Sequence, residues 1–116
     1  MESQESQQII EQILHKIKVE STSVDWTEDV TNSDSIGSKI AALATSGGGL
    51  LIIGITDKLE IAGIEDRQLV VSKIGQIVRN CMPSPNMESP NFIEYQGKTI
   101  AFFRIIGLGG SLCAYR

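Results

Sequence analysis

The stretch Ala42–Asp57, ALATSGGGLLIIGITD, restricts the folds open to this chain more than any other part of it. Three consecutive glycines stand between two apolar segments of different period. Before them, Ile36, Ile40, Leu43 and Ala44 recur at helical spacing with Lys39 on the other side, which predicts a helix from about Ser35 to Thr45. Asp34 or Ser35 can cap its exposed N–H groups. Glycine tolerates the positive φ of a helix terminus and of a tight turn, so Gly47-Gly48-Gly49 ends the helix. Leu50–Thr56 then carries apolar residues on both faces, the mark of an interior strand. A chain that turns so sharply from a helix into a buried strand calls for a sheet with helices packed on it.

The rest of the pattern extends that plan. Val24–Thr27 is a short strand containing the only tryptophan, followed by the polar stretch Glu28–Ser35. Asp57-Lys58-Leu59-Glu60 turns the chain towards a short strand near Ile61–Gly63. A helix spans roughly Asp66–Asn80, with Leu69, Val70, Ile74, Ile77 and Val78 as its core face, and Pro83 and Pro85 mark its end. Ser84–Pro90 is a surface loop. Asn91–Tyr95 and Thr99–Ile106 form a hairpin around Gln96-Gly97-Lys98.

Ahead of all these, Ser6–Lys18 is an amphipathic helix whose stripe is Ile9, Ile10, Ile13, Leu14 and Ile17. That stripe packs on its own domain, forms a homodimer contact or meets a segment of a longer polypeptide. The expected class is α+β: an N-terminal helix over residues 1–20, then one β-α-β-β-α-β-β domain over residues 21–116. Gly107–Gly110 is loop-like, and Ser111–Arg116 begins an apolar segment that suggests a longer parent polypeptide.

Charge and cysteine usage narrow the function classes. Residues 1–34 hold eight acids against Lys16 and Lys18, a balance of −6, while residues 35–116 hold six acids against eight bases, a balance of +2. The whole chain is thus too acidic for nonspecific phosphate binding, but its C-terminal part is not. No apolar run approaches the ~20 residues of a membrane span. The start, MESQESQQ, lacks a secretory pattern, so the expected location is cytoplasmic. With Cys81, Cys113 and His15 as the only cysteines and histidine, no cysteine/histidine metal cluster can form, and both cysteines are expected reduced.

Several constellations bear on chemistry. A phosphate loop needs GxxxxGK[ST] opening a helix, whereas these glycines run from helix into strand and are followed by leucine, so they are expected to cap and pack. Asp25, Glu28, Asp29 and Asp57 are a candidate acidic set. If Val24–Thr27 pairs beside Leu50–Thr56, Asp25 and Asp57 approach at one end of the sheet, where carboxylates can hold a hard divalent ion such as Mg²⁺ or Mn²⁺. The alternative is a solvated acidic loop with Asp57 starting a turn. Ser46 lacks the surroundings of a nucleophile elbow, and His15 has no partner in sequence. Lys39, Lys58, Lys73, Arg79, Lys98 and Arg104 either converge on one nucleic-acid-binding face or form an ordinary solvated surface. Phe92, Tyr95 and Phe102 are candidates to stack bases.

Taken in order, VDWT, ALATSGGG, LLIIGITD and KLEIAGIED resemble the Alba-like domain of the Schlafen family, found in Schlafen proteins and microbial transcriptional regulators. That family typically shows an E-F-K strand, a helix ending A-F-A-N-T-x-G-G, a strand ending G-V-x-D, and G-x-I-x-G. IVRNCMPSP, the YQGKTIAFFRI hairpin and SLCAYR continue the likeness from Val24 to the chain end. The resemblance implies an Alba-like fold and a DNA- or RNA-binding module. It also implies an alternative, a metal-dependent endoribonuclease acting on structured RNA, with Asp25 and Asp57 on two of the family's three acid positions and Glu28 and Asp29 near the other. The family's E-F-K lysine is Thr27 here and its A-F-A-N asparagine is Thr45, which favours binding over cleavage. Nucleotide (ATP) binding or protein interaction is the remaining alternative.

Overall fold

The computed structural model describes residues 24–58, 60–82, 85–107 and 114–115. The N-terminal amphipathic helix, and the domain division placed at residue 20, lie outside them.

The described chain runs β1 (Val24–Thr27), α1 (Ser33–Thr45), β2 (Gly48–Ile53), α2 (Arg67–Arg79), β3 (Cys81–Met82), β4 (Asn91–Tyr95), β5 (Lys98–Ile106) and β6 (Ala114–Tyr115). It is an α+β fold. Four strands form a mixed sheet in the order β1-β2-β5-β4, with β1 parallel to β2 and both other pairings antiparallel. β2 is interior, as its two-sided apolar pattern requires. β3 and β6 pair antiparallel in a separate two-stranded ribbon.

Local chemistry explains the boundaries. Asn32, rather than Asp34 or Ser35, caps α1, its side chain accepting the Ser35 N–H at 3.0 Å. Asp66 does the same for α2 by accepting the Leu69 N–H at 3.0 Å. Ser46 closes α1 by donating to the Ala42 carbonyl, and Gly47 and Gly48 then take φ of +99° and +97°. Gly48 also packs against backbone: a Cβ there would lie 2.7 Å from the Ile105 carbonyl oxygen and 2.8 Å from the Gly107 nitrogen. The glycine run is therefore a turn and a close contact.

Both helices cover one face of the sheet. Ile36, Ile40, Leu43 and Ala44 of α1 and Val70, Ile74, Ile77 and Val78 of α2 meet Leu51, Ile53, Ala101, Phe103 and Ile105. On the opposite face lie Ile52, Ile93, Ile100 and Phe102, with Ile55 beside them and Val24, Trp26, Ile61 and Tyr95 at the margin.

Two further expectations need correction, and one pairing was not foreseen. Leu69 is not core but half exposed, because α2 meets the sheet through the 70/74/77/78 stripe and Leu69 falls one position outside it. The strand expected near Ile61–Gly63 is reduced to single bridges, Ile55 to Ile61 and Ile64 to Thr99, since Gly54 and Gly63 sit at positive φ and bend the chain across the sheet end. The pairing of Cys81–Met82 with Ala114–Tyr115 carries no sequence signal, because two-residue strands have no period to detect.

Candidate functional site

β1 and α1 together fix Asp25. The residue pairs in register with Leu51, on the helix-bearing face, and its Oδ1 lies 3.3 Å from Lys39 Nζ of α1. The same oxygen accepts the Trp26 N–H at 2.8 Å. Both partners of the ion pair are partly exposed, so it contributes at most about 1 kcal/mol. By contrast, each fully buried isoleucine of α1 contributes roughly 1.5–3 kcal/mol. The apolar layer holds α1 on the sheet; the ion pair aims two side chains.

The other acids serve local turns. Asp29 is exposed and accepts from the Thr31 hydroxyl at 2.7 Å and the Thr31 N–H at 3.0 Å. These two bonds, the hydroxyl's first, lower its pKa below the usual aspartate value. Glu28 is exposed beside it. Asp57 and Lys58 are exposed in the turn after β2, which Thr56 and Glu60 close, with the Thr56 N–H donating to the Glu60 carbonyl at 2.9 Å. Asp25 stands opposite Leu51, whereas Asp57 lies past Gly54, whose N–H donates to the Thr27 carbonyl at the end of β1. Among the described residues, no three acidic, histidine or cysteine side chains gather where they could hold a metal ion. A carboxylate centre for a divalent ion would need Asp25 to be drawn off Lys39.

The cations divide between two faces. α2 carries Arg67, Lys73 and Arg79 and no carboxylate within its span, with Arg79 in the last turn, where positive charge suits the helix dipole. Arg67 stacks over the Phe92 ring at 5.2 Å, a cation–π contact not foreseen from sequence because the partners are 25 positions apart. Lys39 lies on the same side of the sheet. Arg104 does not: it pairs in register with Leu50, on the opposite face, and its Nε is 3.5 Å from Glu88. Lys98 donates to the Ile61 carbonyl at 3.1 Å. Of the aromatic candidates, Phe102 is 1% exposed and has no face to offer a base, while Phe92 and Tyr95 are partly buried.

Comparison with known proteins places this geometry. The family model described as Schlafen, AlbA_2 matches residues 20–107. No curated protein matches the chain. Among solved structures, the DIP2311 protein from Corynebacterium diphtheriae is similar with a TM-score of 0.61 at 20% identity, over 98% of this chain and 24% of that one. That likeness concerns the fold. The chain thus spans under a quarter of that protein's length. Among the described residues, no helix is long and apolar enough to cross a membrane.

Proposed function

Since the chain belongs to the Schlafen AlbA_2 family, we propose that it is a nucleic-acid-binding module that meets DNA or RNA through the outer side of α2. The observation that carries this reading is the charge of that helix: Arg67–Arg79 holds three cations, set about 120° apart around its axis, and no carboxylate, with exposed Gln68, Ser72 and Gln76 on the same outer side as Arg79. Long cationic side chains set around one helix can reach phosphates to either side of it, and neighbouring amide and hydroxyl groups hydrogen-bond to phosphate and sugar. A cytoplasmic location is part of this proposal.

The module reading is preferred to the endoribonuclease alternative because Asp25 is engaged by Lys39 and Asp29 by Thr31. ATP binding is disfavoured because Gly48 packs against its own chain at Ile105 and Gly107.

The test is fluorescence anisotropy with labelled duplex DNA, duplex RNA and single strands over a salt series. Affinity should fall steeply with salt, and Lys73→Ala should weaken binding to every sequence alike while lowering the salt slope by about 1. A flat salt response, or a Lys73→Ala affinity equal to that of the unmodified chain, refutes α2 as the contact. Incubation with structured RNA and Mn²⁺ checks the alternative; cleavage abolished by Asp25→Asn would replace the binding reading with the enzymatic one.

A further inference from the structure

The outer strands of the sheet, β1 and β4, are finished differently. An edge strand turns every second N–H and C=O away from its neighbour, and these groups invite another strand. On β1 the Thr27 carbonyl accepts the Gly54 N–H and so faces β2, which turns Trp26 outward. The Trp26 N–H is already engaged: Asp25 Oδ1 accepts it at 2.8 Å, and Lys39 holds the same oxygen at 3.3 Å. β4 has no such cap. Tyr95 and Lys98 close the Gln96-Gly97 turn as a hydrogen-bonded pair, so Asn91, Ile93 and Tyr95 bond to β5 while Phe92 and Glu94 turn outward. The Ile64 N–H donating to the Thr99 carbonyl agrees with this phase, since Thr99, opposite Glu94, faces away from β4. Among the described residues, no strand pairs with the outer edge of β4, and Glu94 is exposed and forms no ion pair.

We infer that β4 pairs antiparallel with β4 of a second copy of this chain, about a twofold axis through Ile93, and joins the two sheets into one. Charge complementarity selects this occupant and this register. Centred on Ile93, the pairing sets Phe92 opposite Glu94 of the partner subunit, and the outward N–H and C=O of both are bonded. Opposite residues of an antiparallel pair share a face, with Cα atoms about 5.5 Å apart. Arg67 lies over the Phe92 ring at 5.2 Å, so its guanidinium comes beside Glu94 of the partner subunit, and the symmetry repeats the contact. Centred on Glu94, the pairing would oppose like charges and run into the turn at Gln96. Centred on Phe92, it would set Glu94 against Pro90 of the partner subunit, which has no N–H to give.

A twofold contact of this kind is self-complementary and closed, and with the β1 edge capped the assembly ends at the dimer. The axis stands normal to the sheet, so both copies carry α2 on the same side. This inference stands on the sheet edges and on Arg67 and Glu94, independently of whether α2 binds nucleic acid.

Amide hydrogen exchange on the unmodified full chain, read along a dilution series from ~1 mM whose mass is followed by light scattering, tests it. The mass is expected to rise to that of a dimer, with the Phe92 and Glu94 amides slow to exchange in the dimer and fast in the monomer. A monomer throughout, or growth beyond a dimer, overturns the inference. So does protection that persists on dilution, which assigns the edge to the chain's own residues. Fast exchange of both amides within the dimer overturns it as well, because the copies then meet elsewhere. Charge reversal checks the register: Glu94→Arg should raise the dissociation constant roughly tenfold, and adding Arg67→Glu should restore it. An unmoved constant in Glu94→Arg, or no recovery in the double variant, overturns the pairing centred on Ile93. Should a variant fail to fold, amide exchange in the unmodified chain decides.

Discussion

Asp25 of β1 and Lys39 of α1 are 14 positions apart in sequence and 3.3 Å apart in space, and this ion pair occupies the acid on which the endoribonuclease alternative depends. The pair joins the edge strand to the first helix at the side of the apolar layer. Partial exposure keeps its energy small, which makes it a reporter of geometry rather than a source of stability.

A double-mutant cycle with Asp25→Asn and Lys39→Met should therefore give a coupling energy of about 0.2–1 kcal/mol by urea unfolding, shrinking as salt is raised. A coupling well above that range would mean a drier pair than the structure describes.

Asp29 yields a pH prediction. Its folded pKa is lowered by the bonds from Thr31, so the stabilisation is present above the unfolded aspartate value and is lost as pH falls below ~4 and through the folded pKa. Replacing Thr31 by valine removes the hydroxyl bond, the larger cause of the lowering, and leaves the N–H bond. NMR titration of the Asp29 carboxyl should then show its pKa raised towards the usual value, with the acid limb of the stability curve flattened. An unmoved titration would show that the hydroxyl has no such effect.

The glycine turn separates two costs. At Gly47 an added Cβ meets nothing within 4 Å, so Gly47→Ala bears only the positive-φ strain, roughly 1–2 kcal/mol. At Gly48 the same strain is joined by collision with the Ile105 carbonyl and the Gly107 nitrogen, so Gly48→Ala should cost on the order of 3 kcal/mol or more. Equal losses in thermal or urea unfolding would contradict the close packing of β2 on β5.

α2 offers a contrast between neighbouring turns. Ile74 is fully buried and Leu69 is half exposed. Ile74→Ala should destabilise by about 2–5 kcal/mol, and Leu69→Ala by roughly 0.5 kcal/mol or less. A large loss at Leu69 would place it under a partner.

Much of the architecture was legible because it rests on short-range physics. Residues at 36, 40, 43 and 44 recur with the helical period, Gly47 and Gly48 supply the conformations a helix end needs, and Leu50–Ile53 is apolar on both sides because strands flank it and packing closes both faces. The hairpin around Gln96-Gly97 follows from turn chemistry. Those signals determined that a helix–glycine–strand unit lies within a sheet, and the family likeness followed from their order. Periodicity records which side of an element is apolar, but it does not record what stands across from a polar group. Only tertiary structure decided that Asp25 faces Lys39, that Arg67 lies over Phe92, and that Arg104 stands on the face away from α2. Each relationship joins residues far apart in sequence through strand order and register, and it is that long-range pairing which sorts the charges of this chain between its two faces.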